Sequence, residues 1–128
     1  MVKKPEDILK KWMLAVNKGD VERLFSLYDK KAVLIPTFSN KLLNKPEKIR
    51  EYFKNLIKRE ELSVELHKKT LIVQPIKNEM YALSGIYCWH FVLDGESLGF
   101  EARFSYIIDL ALSSPIIHHH SSQIPRML

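Results

Sequence analysis

The chain is 128 residues long and 46% hydrophobic, enough for one ordinary core with no room for a second, so residues 1–128 are expected to form a single domain. The net charge of +5, from 20 Lys plus Arg against 15 Asp plus Glu, mildly favours anionic partners, but no basic run with interleaved aromatics points to nucleic acid. The lone Cys88 can close no intrachain disulfide, the charged start has no signal-peptide core, and no apolar run reaches the roughly eighteen residues of a membrane span, so a soluble cytoplasmic protein is expected.

Pro5 suits the first turn of a helix, and Glu6 and Asp7 complement the positive end of its dipole. Ile8, Leu9, Trp12, Met13 and Val16 then recur at helical spacing, so one face of this helix is buried. Gly19 can end it in the left-handed conformation, and Asp20 can cap a second helix that carries Leu24, Phe25 and Tyr28 inward. Ala32 to Ile35 reads as a short strand stopped by Pro36. After a loop, Pro46 opens a third amphipathic helix, with Ile49, Tyr52, Phe53, Leu56 and Ile57 on one side, ending near Glu61.

From Leu62 onward the apolar period becomes two, and four strands fill the remainder. Met80 to Leu93 and Leu98 to Leu112 are joined through Asp94-Gly95, a strong hairpin signal, and Ser113-Ser114-Pro115 turns the chain into a last strand, Ile116 to Ser122. The two long strands are apolar on both faces. Ile86, Cys88 and Val92 share one side, Tyr87, Trp89, Phe91 and Leu93 the other, and Phe100, Phe104, Tyr106 and Ile108 form a stripe on the neighbour. Three helices cover only one side of such a sheet, so the other calls for a second copy of the chain, with the Phe104 and Tyr106 stripe as a candidate interface.

This order of helix, Gly-Asp, helix, short strand, helix and long antiparallel sheet resembles the NTF2-like (cystatin-like) superfamily over essentially the whole chain. The ending Ile117-His118-His119-His120-Ser121-Ser122-Gln123-Ile124-Pro125, with Glu101-Ala102-Arg103-Phe104, looks like the SnoaL-like branch that holds the association domain of calcium/calmodulin-dependent protein kinase II and small bacterial relatives. The resemblance implies an α+β cone, three N-terminal helices packed on a strongly curved, mostly antiparallel sheet. It further implies a pocket between the concave face and the helices, and a dimer through the other face.

Enzymes of this superfamily include ketosteroid isomerase and polyketide cyclases, but their chemistry does not transfer. Aligned on Asn17-Lys18-Gly19-Asp20, the isomerase pattern puts Trp12 at its oxyanion-stabilising tyrosine and Pro36 at its base aspartate, and proline has no proton acceptor in its side chain. In the association-domain resemblance the arginine matching Arg103 points into the cavity, where a guanidinium can grip a carboxylate through two hydrogen bonds; Glu101 on the same strand face can instead pair with it. His118 and His120 project to one face of the last strand and His119 to the other. A His-x-His pair can bind zinc or copper given a third ligand, but no second signature supplies one, and no metal or cofactor is expected. Trp12 and Tyr52 are either pocket walls or core, and Cys88 reads as an inert buried thiol.

The expected function is a homo-oligomeric domain that binds a small anionic metabolite through Arg103, Glu101, His118, His120, Trp12 and Tyr52, with no catalytic residue assigned. The alternative is an isomerase, cyclase or dehydratase that uses His118 or His120 as its acid or base.

Overall fold

A computed structural model describes residues 4–125, so both ends of the expected domain, residues 1–3 and 126–128, lie outside the described residues. Helix α1 (Pro5–Lys18) has Pro at its start and Glu6 and Asp7 in its first turn, and Gly19 ends it with φ 68°, a left-handed conformation that a side chain would strain. Asp20 caps α2 (Val21–Ser26), its carboxylate accepting the Arg23 amide at 3.0 Å. Strand β1 (Tyr28–Ile35) starts earlier than the apolar run at Ala32 suggests, because Tyr28 already pairs with Ile116 before a register shift. Helix α3 (Pro46–Ile57) ends short of Glu61, since Glu60 pairs with Val92 and opens β2 (Glu60–Leu66).

Five strands rather than four fill the remainder. A single 3-10 turn, Lys68–Thr70, breaks the apolar stretch into β2 and β3 (Ile72–Lys77), which pair side by side with opposite halves of the long β4 (Met80–Leu93). The expected hairpin joins β4 to β5 (Glu96–Asp109); Asp94 and Gly95 both have positive φ, 51° and 79°, matching the right-handed twist of the strands. Strand β6 (Ile116–Gln123) lies antiparallel to β5 and parallel to β1, so the order is β1-β6-β5-β4-β2, with β3 also on β4. The result is the expected α+β NTF2-like cone, a mostly antiparallel sheet wrapped over helices.

Alternation decides what each face carries. One cross-strand row runs Leu34, His119, Tyr106, Leu83, and another Gln123, Ala102, Tyr87, Leu66; the side chains of these rows point at the helices. Phe104 and Tyr106 are 3% and 0% exposed, so the stripe considered for the subunit interface is core, and a charge there would unfold the chain. The outer rows are Val33, His118, Ile107, Ala82, then Ile35, His120, Ser105, Ser84, Ile72, then Ser122, Arg103, Ile86, and then Glu101, Cys88, Glu65.

On the inner face, Gly85 lies opposite Phe104, and a Cβ there would come within 3.0 Å of the Phe104 ring and 3.2 Å of the Thr70 hydroxyl. That hydroxyl accepts the Ile86 amide, so it has little freedom to retreat. Gly85→Val should cost about 1–3 kcal/mol by overpacking. Urea denaturation checks this, and an unchanged midpoint would show that the ring yields freely.

Candidate functional site

The centre of the cone is filled with aromatic side chains around one buried histidine. Trp12, on the inward face of α1, stacks on Tyr87 with centroids 5.5 Å apart, and Tyr106 stacks on the His119 imidazole at 3.9 Å. The Trp12 indole N–H donates to the Tyr28 hydroxyl at 3.0 Å. Tyr28 Oη lies 2.7 Å from His119 Nδ1, and Tyr87 Oη lies 3.2 Å from His119 Nε2. Indole can only donate, so Tyr28 accepts from Trp12 and is free to donate to Nδ1; Nε2–H then donates to Tyr87. This is the arrangement that uses every proton in the chain from Trp12 to Tyr87.

Burial, with the neighbouring His118 and His120 adding to it, pushes the His119 pKa well below 6.5, so the imidazole is neutral at physiological pH. Burial likewise pushes the phenols up: Tyr28 and Tyr106 well above their ordinary value, Tyr87 strongly despite the Ser121 and Thr37 hydroxyls beside it, and Tyr52 to about 12. A neutral imidazole with both nitrogens engaged, among phenols that keep their protons, holds the cone together and is not poised for proton transfer.

The cone opens to solvent at the end where β1, β4, β5 and β6 meet the segment after Pro36. An open cleft of about 530 Å³ lies there, with Phe38, Phe91, Phe100 and Arg59 among its walls and Thr37 and Gln123 at its edge. Phe91 and Phe100 stack at 5.4 Å, and Phe38 meets both edge-on at 5.6 Å. The Arg59 guanidinium sits 4.6 Å from the Phe91 centroid and 5.8 Å from that of Phe38. Tyr52 supports this end from α3, its hydroxyl accepting the Phe38 amide at 3.4 Å, while Thr37 and Ser121 share a short hydroxyl contact.

The residues singled out from the sequence separate into two groups. Trp12 is fully buried in the aromatic interior, and Tyr52 is half-buried behind the cleft. Arg103, Glu101 and His120 are exposed and His118 half-buried, all four on the outer sheet face, so the placement of Arg103 in the cavity is corrected. The reason is parity. Ala102, Phe104, Tyr106 and Ile108 face inward, and an odd-numbered neighbour on the same strand must face out. Glu101 lies 3.8 Å from His67 Nδ1 and makes no ion pair with Arg103. Cys88 is half-buried on the outer face rather than buried; desolvation, with Glu101 next in size, raises its pKa and blunts its reactivity. Among the described residues no three His, Cys, Asp or Glu side chains converge as a metal site would require. No described helix is long and apolar enough to cross a membrane. Sequence reading missed His119 as the hub of the interior, since it showed only that His119 lies on the face opposite His118 and His120, and it missed Arg59, which no motif marks.

The depressed His119 pKa sets an acid limb of stability. Below about pH 6.5 the unfolded chain protonates this imidazole and the folded chain does not, so stability falls with pH there and is insensitive to this group above. The slope from one such group is at most about 1.4 kcal/mol per pH unit. His119→Leu should lose that part of the acid limb, and at pH 7.5 should be destabilised by about 1–3 kcal/mol for each phenol left unpaired. Urea titrations of both proteins at several pH values test this, and parallel pH profiles would contradict it.

A family model for the SnoaL-like domain matches residues 6–127. A sequence search of curated proteins finds no significant match. In structure, the chain is similar to a protein from Xanthomonas campestris described as a calcium/calmodulin-dependent protein kinase II association domain, with a TM-score of 0.85 and 22% identity over 95% of this chain and 86% of that one. It is also similar to an uncharacterised protein with a cystatin-like fold from Caulobacter vibrioides, with a TM-score of 0.78 and 13% identity over 94% and 87% of the two chains. At these identities the neighbours establish the fold, and a fold this widely used selects no activity. The family match covers nearly the whole chain, and the protein belongs to the SnoaL-like domain family.

Proposed function

We propose that the chain is a homo-oligomeric SnoaL-like domain whose outer sheet face packs against a second copy. The observation that carries this reading is a sheet covered by helices on one side only, with Val33, Ile35, Ile86, Ile107 and Ile72 on the other. Ile72 is 58% exposed in the monomer. Strands about 4.8 Å apart, crossed by several rows about 7 Å apart, make a face on the order of 700 Å². A standard interface buries about 800 Å² per partner, so the face is of the right size. Arg103 lies between the apolar rows and the Glu101 and Glu65 row, an arrangement that a two-fold axis can make self-complementary. The Xanthomonas campestris neighbour, described as an association domain, supports the same reading.

The enzyme alternative has less behind it. His118 and His120 lie on the outer face, so as acid or base they would have to act within a subunit interface, and no Asp, Glu or His is among the residues lining the cleft at the cone's mouth. A non-catalytic module is the better-supported class.

Sedimentation equilibrium at micromolar concentration should show a species at least twice the 15.0 kDa chain mass. Ile107→Lys should weaken association by about tenfold or more while leaving the circular dichroism spectrum intact, because its side chain leaves the outer face. A protein that is monomeric throughout, or an Ile107→Lys variant that associates like wild type, would remove this reading.

A further inference from the structure

The cleft at the mouth of the cone is independent of the outer face, and its lining is chemically one-sided. The walls supply three phenyl rings in contact, Phe91 stacked on Phe100 with Phe38 edge-on to both, and Leu93 and Leu98 extend the apolar surface. Hydrogen-bonding groups come from Thr37, Ser39, Asn40 and Gln123 at the edge. The one charged lining residue is Arg59, and no acidic group lines the cleft. Among the described residues no Asp or Glu forms an ion pair with Arg59, whereas Arg50 on α3 is paired with Glu22.

A guanidinium over ring faces has its plane held by packing, which removes much of the entropy cost of presenting its N–H fork. The rings cannot accept those N–H groups in the way an oxygen can. Beneath the cleft, Trp89 meets Phe38 edge-on at 5.6 Å, and its indole N–H is buried without an acceptor among the described residues. A pre-held cation, an apolar floor and donors without acceptors together specify a molecule with a flat apolar body and an anionic oxygen pair.

We propose that the mouth of the cone binds a flat, apolar carboxylate, with the Arg59 guanidinium gripping the carboxylate and the Phe38, Phe91 and Phe100 rings packing on its body. The other clefts fit this chemistry less well. The one between α1 and β2 mixes Glu6 and Glu65 with Lys10 and Lys68, and the one beside α3 mixes Lys41, Lys45 and Lys48 with Glu51 and has Tyr52 as its single aromatic ring.

Titration of isotope-labelled protein with phenylacetate, phenylacetamide and acetate, followed through amide chemical shifts, tests the site. Phenylacetate should give saturable shifts at Phe38, Arg59, Phe91 and their neighbours, and the uncharged amide and the ringless acetate should each bind at least about tenfold more weakly. Arg59→Gln should weaken phenylacetate binding about tenfold or more with an unchanged Tm, since the side chain is exposed, while Lys30→Gln, which removes a surface cation on β1, should leave it unaltered. Four results would overturn the proposal: no saturable shift up to about 10 mM phenylacetate, equal affinity for phenylacetamide, Arg59→Gln binding like wild type, or Lys30→Gln weakening binding equally. The oligomeric state of the same sample is read separately, so failure here leaves the subunit interface untouched.

Discussion

The burial of His119 between Tyr28, Tyr87 and Tyr106 is the constraint on which the other placements depend. Each of the three strands β4, β5 and β6 contributes one of these rings, and side chains on a strand alternate. Once Tyr87, Tyr106 and His119 face inward, Ile86, Arg103, His118 and His120 have no choice but to face outward. The His119 imidazole ties β6 to β1 through Tyr28 and to β4 through Tyr87, so removing it loses both hydrogen bonds. An unpaired polar group buried there costs about 1–3 kcal/mol, and two phenols would be left without their partner. The network therefore joins the strands as much as it fills the interior.

Much of this was legible in the residues. Gly19-Asp20 and Asp94-Gly95 carry their conformations in their chemistry, and the helical faces of α1 and α3 follow from the spacing of their apolar residues. The break between β2 and β3 was not legible, because Lys68, Lys69 and Thr70 form a single 3-10 turn whose polar residues also suit an exposed strand. Arg103 shows a different kind of error. Period two puts the stripe Phe104, Tyr106, Ile108 on one face and Arg103 on the other, but with both faces apolar it does not say which one the helices cover; the stripe considered for the interface is the covered one, and Arg103 therefore faces out.

The cleft at the mouth was hidden for a topological reason. Its residues come from the segment after β1, from the junction of α3 and β2, from the ends of β4 and β6, and from the start of β5. No two of Phe38, Arg59, Phe91 and Phe100 stand at a spacing that a motif could express. They meet only because antiparallel pairing sets Phe91 opposite Leu98 and Trp89 opposite Phe100, which brings the β4–β5 hairpin over the loop that follows Pro36. Sequence periodicity reports which face a residue occupies, and this site needs the ends of faces.

How the interior is filled also bears on what the cone can do. Enzymes of this architecture need space between sheet and helices for a substrate, and here Trp12, Tyr87, Trp89 and Tyr106 occupy it with edge and stacking contacts at 5.5–5.9 Å. Close-packed aromatics of this size do not part to admit a ligand without losing contacts on every side. The loop bearing Phe38 is the cheaper element to move. It is half-buried and is held by edge contacts of Phe38 with Trp89, Phe91 and Phe100, by a weak amide contact to Tyr52 and by the Thr37 hydroxyl contact to Ser121, so displacing Phe38 gives up less than opening the fully buried core does. Displacing it also uncovers the edge of Trp89, whose buried N–H has no acceptor, which places the compliant part of the molecule beside a polar group in need of a partner.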